Sequence, residues 1–81
     1  MHDMPNLAAW LRARRAVLRS TQEEVATALG VSVVLLSQWE NGHTLPNKVE
    51  QVIKLAAWGE VDAVDVFTLC ARDAERMSGA A

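Results

Sequence analysis

Cysteine is almost missing: Cys70 is the sole thiol in 81 residues, so no internal disulfide can form and no zinc site can be built from thiolates. In a reducing compartment it reads as a small side chain for burial; a disulfide to a second chain is the other reading. Long apolar runs are missing too. No stretch approaches the ~18 residues needed to span a bilayer, and the N-terminus has no basic segment leading into an apolar one. No membrane partner and a cytoplasmic location are therefore expected. An excess of positive charge is also lacking: the net charge is −2, where a reader of nucleic acid normally carries a basic face. The imbalance is uneven, with five Lys or Arg against four Asp or Glu up to Lys48 and three against six from Val49 onward. On such a chain neutral amides and helix termini would have to make many of the phosphate contacts, giving low non-specific affinity. Two distant histidines, one cysteine and carboxylates that serve as helix caps offer no nucleophile and base pair, and no glycine-rich phosphate loop is present. Neither an enzyme nor a metal or cofactor site is expected.

What is present is helical patterning on the scale of one domain covering residues 1–81. A chain this short buries only about 60 to 65% of its unfolded surface, which makes dimerisation a plausible aid to stability. The stretch from Thr21 to Gly42 organises the rest. Thr21 and Glu24 have the spacing of a capping box at the start of a helix over Gln22 to Leu29. Gly30 suits the left-handed conformation that ends a helix, and Ser32 is placed to cap the next one. A connection of three residues forces the two helices to cross steeply. VSVVLL has high strand propensity, but the Ser32 cap, the Gly30 stop and the spacing of Leu36 and Trp39 all favour helix, and propensity is the weaker signal.

Gln22, Ala26, Gly30, Val31, Leu36, Trp39, Glu40 and Gly42 stand in the register of the helix-turn-helix of the phage repressor and Cro family, which this chain resembles from about Leu7 to about Val61. The resemblance implies an all-α, compact five-helix bundle of the lambda-repressor-like DNA-binding type. It also implies that Arg15 pairs with Glu40, and that the outward face of the second motif helix enters the major groove of double-stranded DNA. A helical wheel puts Val34, Ser37, Gln38 and Asn41 on that face with Val33 at its side, so Val33, Val34, Ser37 and Gln38 are the expected base readers. The chain departs from the family at positions 33 and 34, usually polar or basic and here both valine. Valine methyls can meet only the thymine C5-methyl, which leaves directional readout to the Gln38 amide and adenine. Phosphate contacts are expected from Gln22 at the positive end of the first motif helix and from Asn41, His43 and Thr44 around the following turn. His43 lacks partners for a metal and reads as an exposed loop residue.

The flanks carry helices as well. Pro5 and Asn6 open the first, with Leu7, Ala8, Leu11 and Leu18 as its apolar stripe and Arg12, Arg15 and Arg19 along one flank. In the motif Val25, Ala26, Leu29 and Leu36 read as core, and Trp39 closes it from below, on the same face as Leu36. One extra residue after Pro46 ends the close correspondence with the family. Asn47 and Glu50 have cap spacing before a fourth helix whose stripe is Val49, Val52, Ile53 and Ala56; Trp58 falls on its polar side and needs cover elsewhere. Gly59 breaks this helix and Asp62 caps the last, over residues 62–77, with a core stripe of Val64, Phe67, Ala71 and Ala74. Val66, Leu69, Cys70 and Met77 widen the apolar arc past the ~100° of one packing face; with Trp58 they form the expected dimer interface. The alternation VDAVDVF is the alternative of an edge strand, which would equally invite a partner. Ser78 to Ala81 reads as a frayed tail.

Two functions follow. One is a sequence-specific regulator, a repressor by preference, that binds a palindromic operator as a homodimer. The other is a protein-binding module or antitoxin whose Val33, Val34 and Leu35 surface, or last helix, grips a partner protein.

Overall fold

The computed structural model describes residues 6–78; the expected opening at Pro5 and the tail beyond Ser78 lie outside them. The first helix, α1 (Leu7–Leu18), begins where Asn6, in extended conformation, accepts a hydrogen bond from the Ala9 amide at 2.8 Å. It ends at Arg19, left-handed at φ 53°. The next, α2 (Gln22–Leu29), opens on the reciprocal cap: the Glu24 amide donates to Thr21 Oγ1 at 3.1 Å and the Thr21 amide to Glu24 Oε1 at 2.8 Å. Gly30 at φ 71° turns the chain, and the Val31 amide returns to the Ala26 carbonyl at 3.0 Å. Ser32 Oγ then accepts the Leu35 amide at 3.0 Å to start α3 (Val33–Glu40). After a loop come α4 (Val49–Gly59) and α5 (Ala63–Ser78).

One core joins all five: Leu7, Trp10 and Leu11 from α1, Val25, Ala26 and Leu29 from α2, Leu36 and Trp39 from α3, Val52, Leu55 and Ala56 from α4, Val66 and Leu69 from α5. The architecture is the all-α five-helix bundle of the lambda-repressor-like type, with no strand among the described residues. The two segments that could have been strands are helical from Val33 and from Ala63 onward, because each has one side that the core takes up and that a helical period supplies.

Three of the expected stripes are rotated. On α1 the buried member is Trp10, not Leu18, which is exposed at the last turn. On α4 Val52, Leu55, Ala56 and Gly59 face inward while Val49 and Ile53 are exposed. Gly59 does not break α4 but belongs to it, and the left-handed residue is Glu60 at φ 55°. What Gly59 supplies is room: a Cβ there would lie 2.3 Å from Trp10 Cζ2. Trp58 finds its cover on the same ring, edge to face with Trp10 at 5.9 Å between centroids and 81° between planes. The expected Asn47 cap is absent as well; Lys48 holds the cap position without a side-chain bond, and the Asn47 amide donates to Gln51 Oε1 at 3.1 Å.

The rotation of α5 matters most for function. Val64, Phe67, Ala71 and Ala74, expected in the core, are exposed, while Val66 and Leu69, expected between subunits, lie in the core of this one. The last buried position of α5 is set by a polar contact: Asp73, itself buried, accepts the Leu7 amide through Oδ2 at 2.9 Å. A carboxylate is welcome at the positive end of α1, and this bond selects which of the two apolar arcs of α5 turns inward.

Candidate DNA interface

Successive residues of a helix are turned by about 100°, so the capped start of α3 decides which side chains look outward. Leu36, Trp39 and Glu40 are buried. On the opposite side Val34 is 68% exposed and Val33 38%; Ser37 and Gln38 are half-buried, and Asn41, just past the helix, is exposed with its Nδ2 donating to Ser37 Oγ at 3.3 Å. Val34, Ser37, Gln38 and Asn41 therefore share one face, with Val33 at its edge. Gly42, at φ 73°, reverses the chain so that the His43 amide donates to the Gln38 carbonyl at 2.9 Å. That closure puts the exposed His43 and Thr44 beside the end of α3. At the other end, Val33 borders a shallow depression with Arg15, Thr21, Gln22 and Glu23, which places the first turn of α3 next to the first turn of α2.

Beneath this face lies a charged cluster centred on Glu40, only 3% exposed. Arg15 meets it bidentately, Nε to Oε2 at 2.8 Å and Nη2 to Oε1 at 3.0 Å, and also donates from Nη1 to the Ser20 carbonyl at 3.2 Å. Gln22 Nε2 donates to Glu40 Oε1 at 3.1 Å, and the Arg12 guanidinium donates to the Glu40 carbonyl. The hydrogen bond to Glu40 raises the Arg15 pKa, desolvation opposes it and the Glu40 charge adds to it. One carboxylate thus ties α1, the start of α2 and the end of α3 together.

Gln22 differs from the expectation. It stands at the positive end of α2, but part of its amide is committed to Glu40, because a buried carboxylate with two oxygens has room for a third donor. The joining of Arg12 to the same glutamate also went unforeseen. The visible signal was their spacing, since residues three apart on one helix share a side. Arg12 is exposed despite its bond to Glu40, as is Arg19 at the left-handed end of α1.

The expected dimer residues are not brought together. Val66 and Leu69 are core, Trp58 and Cys70 are half-buried against it, and Met77 is exposed. The apolar side of α5 that meets solvent instead carries Val64 and Phe67, 70% and 43% exposed, with Ala71 and Ala74. Leu35, offered as part of a partner surface, is half-buried and packed on the core.

Among the described residues no group of three or more His, Cys, Asp or Glu could hold a metal ion, and no helix is long and apolar enough to cross a membrane. No curated protein and no solved structure matches the chain. A helix-turn-helix family model matches residues 11–57, from the second turn of α1 to the last turn of α4, a span that contains the Arg15 and Glu40 pair, the Gly30 turn and the whole outward face of α3. The chain belongs to the Cro/C1-type helix-turn-helix family, whose members are DNA-binding regulators.

Proposed function

We propose that this protein is a cytosolic, sequence-specific repressor that binds a palindromic operator as a homodimer. The observation that carries this reading is the shared outward face of Val34, Ser37, Gln38 and Asn41, with Val33 at its edge, on a helix whose opposite side is fixed by the Glu40 cluster. In the major groove the first turns of α3 lie nearest the base edges. Val33, Val34, Ser37 and Gln38 would then read bases, with Gln38 pairing adenine N6 and N7. Asn41, His43, Thr44 and the uncommitted part of the Gln22 amide would meet phosphates on either side. The exposed α5 stripe of Val64, Phe67, Ala71 and Ala74, continued by Met77, is the surface through which two copies would join. In vitro selection of bound duplexes by the full chain tests this: an inverted repeat is expected, and retention of no duplex at low salt would refute it.

A second reading, a module or antitoxin that grips a protein through Val33 and Val34, is favoured by one fact. From Ser20 to Asn47 the chain has no lysine or arginine, so the motif brings no cation of its own to a phosphate. Salt separates the readings. Duplex binding should weaken steeply between about 50 and 200 mM salt through counterion release, while an apolar protein contact should barely respond.

A further inference from the structure

The side chains on and around α3 permit some base contacts and forbid others. Guanine is read in the major groove by arginine or lysine reaching O6 and N7, and cytosine by a carboxylate accepting from N4. The first kind is missing, since no lysine or arginine occurs between Arg19 and Lys48. Within α3 the second is withheld: Glu40, its sole carboxylate, is buried and its oxygens are taken by Arg15 and Gln22, while the exposed Glu23 stands across the depression beside Val33. What remains outward is the Gln38 amide, the Ser37 hydroxyl, two adjoining valines and, just past the helix, the Asn41 amide, whose Nδ2 is engaged by Ser37.

The valines are the unusual part. Val34 is the second residue of α3 and 68% exposed, so its two methyls lie in water in the free protein and would leave it in a groove. In a helix, valine is confined almost entirely to one χ1 rotamer, so its shape is set before binding and little is lost on docking. Val33 lies beside it, against the depression at the start of α2. The one feature of a base edge in the major groove that rewards such a surface is a methyl group at pyrimidine C5.

We infer that this face recognises 5-methylpyrimidines: Val34, flanked by Val33, takes the C5-methyl of thymine or of 5-methylcytosine, and the charged readers of G·C pairs are missing from α3 itself. The inference rests on the DNA reading above and narrows it. The methyl is the shared chemistry, and the two bases that carry it are told apart by the duplex used. In the half-site each thymine that contacts Val34 stands where an unmethylated pyrimidine leaves the valine against a void.

The test takes the selected duplex and the full chain, and measures Kd by fluorescence anisotropy for a set of single replacements. Thymine to deoxyuridine removes the methyl and nothing else; it should weaken binding roughly four-fold at one or two positions of each half-site, the worth of one buried methyl. At those positions a 5-methylcytosine pair should bind more tightly than a cytosine pair if any C5-methyl suffices, and no better than cytosine if thymine alone is accepted. Val34→Ala, at an exposed helical site where alanine is well tolerated, should bind thymine and deoxyuridine duplexes equally; its melting curve verifies that it is folded. Equal binding of deoxyuridine and thymine duplexes at every position by the unaltered chain overturns the inference while leaving the DNA reading intact. So does discrimination that survives Val34→Ala. Failure of the selection to retain any duplex overturns both.

Discussion

The Leu7 amide donates to Asp73 Oδ2 at 2.9 Å, across 66 positions, and so fastens the first turn of α1 to the last third of α5. Both residues are buried, and Asp73 also has Arg76 within 3.2 Å of Oδ1. Asp73→Ala removes the acceptor and the charge at the positive end of α1, and should cost about 1 to 3 kcal/mol. Asp73→Asn, which keeps an acceptor oxygen, should recover part of it. Urea denaturation reads both; a change below about 0.5 kcal/mol in Asp73→Ala would mean that the bond does not hold α5 in place.

Glu40 is expected to be the most sensitive polar site. Arg15→Ala leaves its carboxylate buried with only the Gln22 donor, and loss of one partner of a buried pair costs about 3 to 5 kcal/mol. The double variant Arg15→Met with Glu40→Leu should lose less than the two single changes added together, because neither charge is then stranded. Additive losses in a double-mutant cycle would argue that the pair is not coupled.

Gly59→Ala should destabilise although alanine is the better helix former, since its methyl would fall 2.3 Å from the Trp10 ring. Overpacking of this kind costs about 1 to 3 kcal/mol. Shrinking the ring by Trp10→Phe in the same chain should make the alanine less harmful. A thermal melt in which Gly59→Ala equals or exceeds the parent contradicts the close approach.

The two faces of α5 give opposite outcomes with the same substituent. If two copies join through α5 as proposed, Phe67→Glu, on the solvent side, should leave the helical circular dichroism unchanged, give monomers in analytical ultracentrifugation and weaken duplex binding. Leu69→Glu, 2% exposed, buries a charge without a partner and should unfold the chain. If Phe67→Glu sediments as the parent does, the subunits meet elsewhere.

Burial raises the Cys70 thiol from its ordinary value of 9.0 to about 11, with the Asp73 charge adding to the effect. Between those pH values the unfolded chain releases the proton and the folded chain keeps it, so stability is intact below about pH 9 and falls as pH rises toward 11. After allowance for partial solvent access the loss should be about 1 kcal/mol. Cys70→Ala should lack this component when denaturation midpoints are compared at pH 8 and pH 10.5, and equal slopes in the two proteins would remove Cys70 as its source. Iodoacetamide should accordingly react slowly with the folded protein at pH 8.

The motif was legible because its determinants are local. Thr21 with Glu24, Gly30, and Ser32 with the Leu35 amide are contacts within four residues, and each both starts or stops a helix and fixes its phase; once α3 is phased, the outward placement of Val34, Ser37 and Gln38 follows. The pair of Arg15 and Glu40 was legible only through family resemblance, since nothing in a span of 25 positions announces it.

Fold class, the five helices, the three-residue turn and the outward face of α3 were therefore determined by the sequence itself. The rotation of α4 and α5 was decided in three dimensions. Both helices carry apolar residues around most of their circumference, so periodicity offers two inward faces of similar worth. The choice fell to contacts from far along the chain: the Trp10 ring, which admits only a glycine at position 59, and the Leu7 amide, which draws in Asp73 and leaves Phe67 in water.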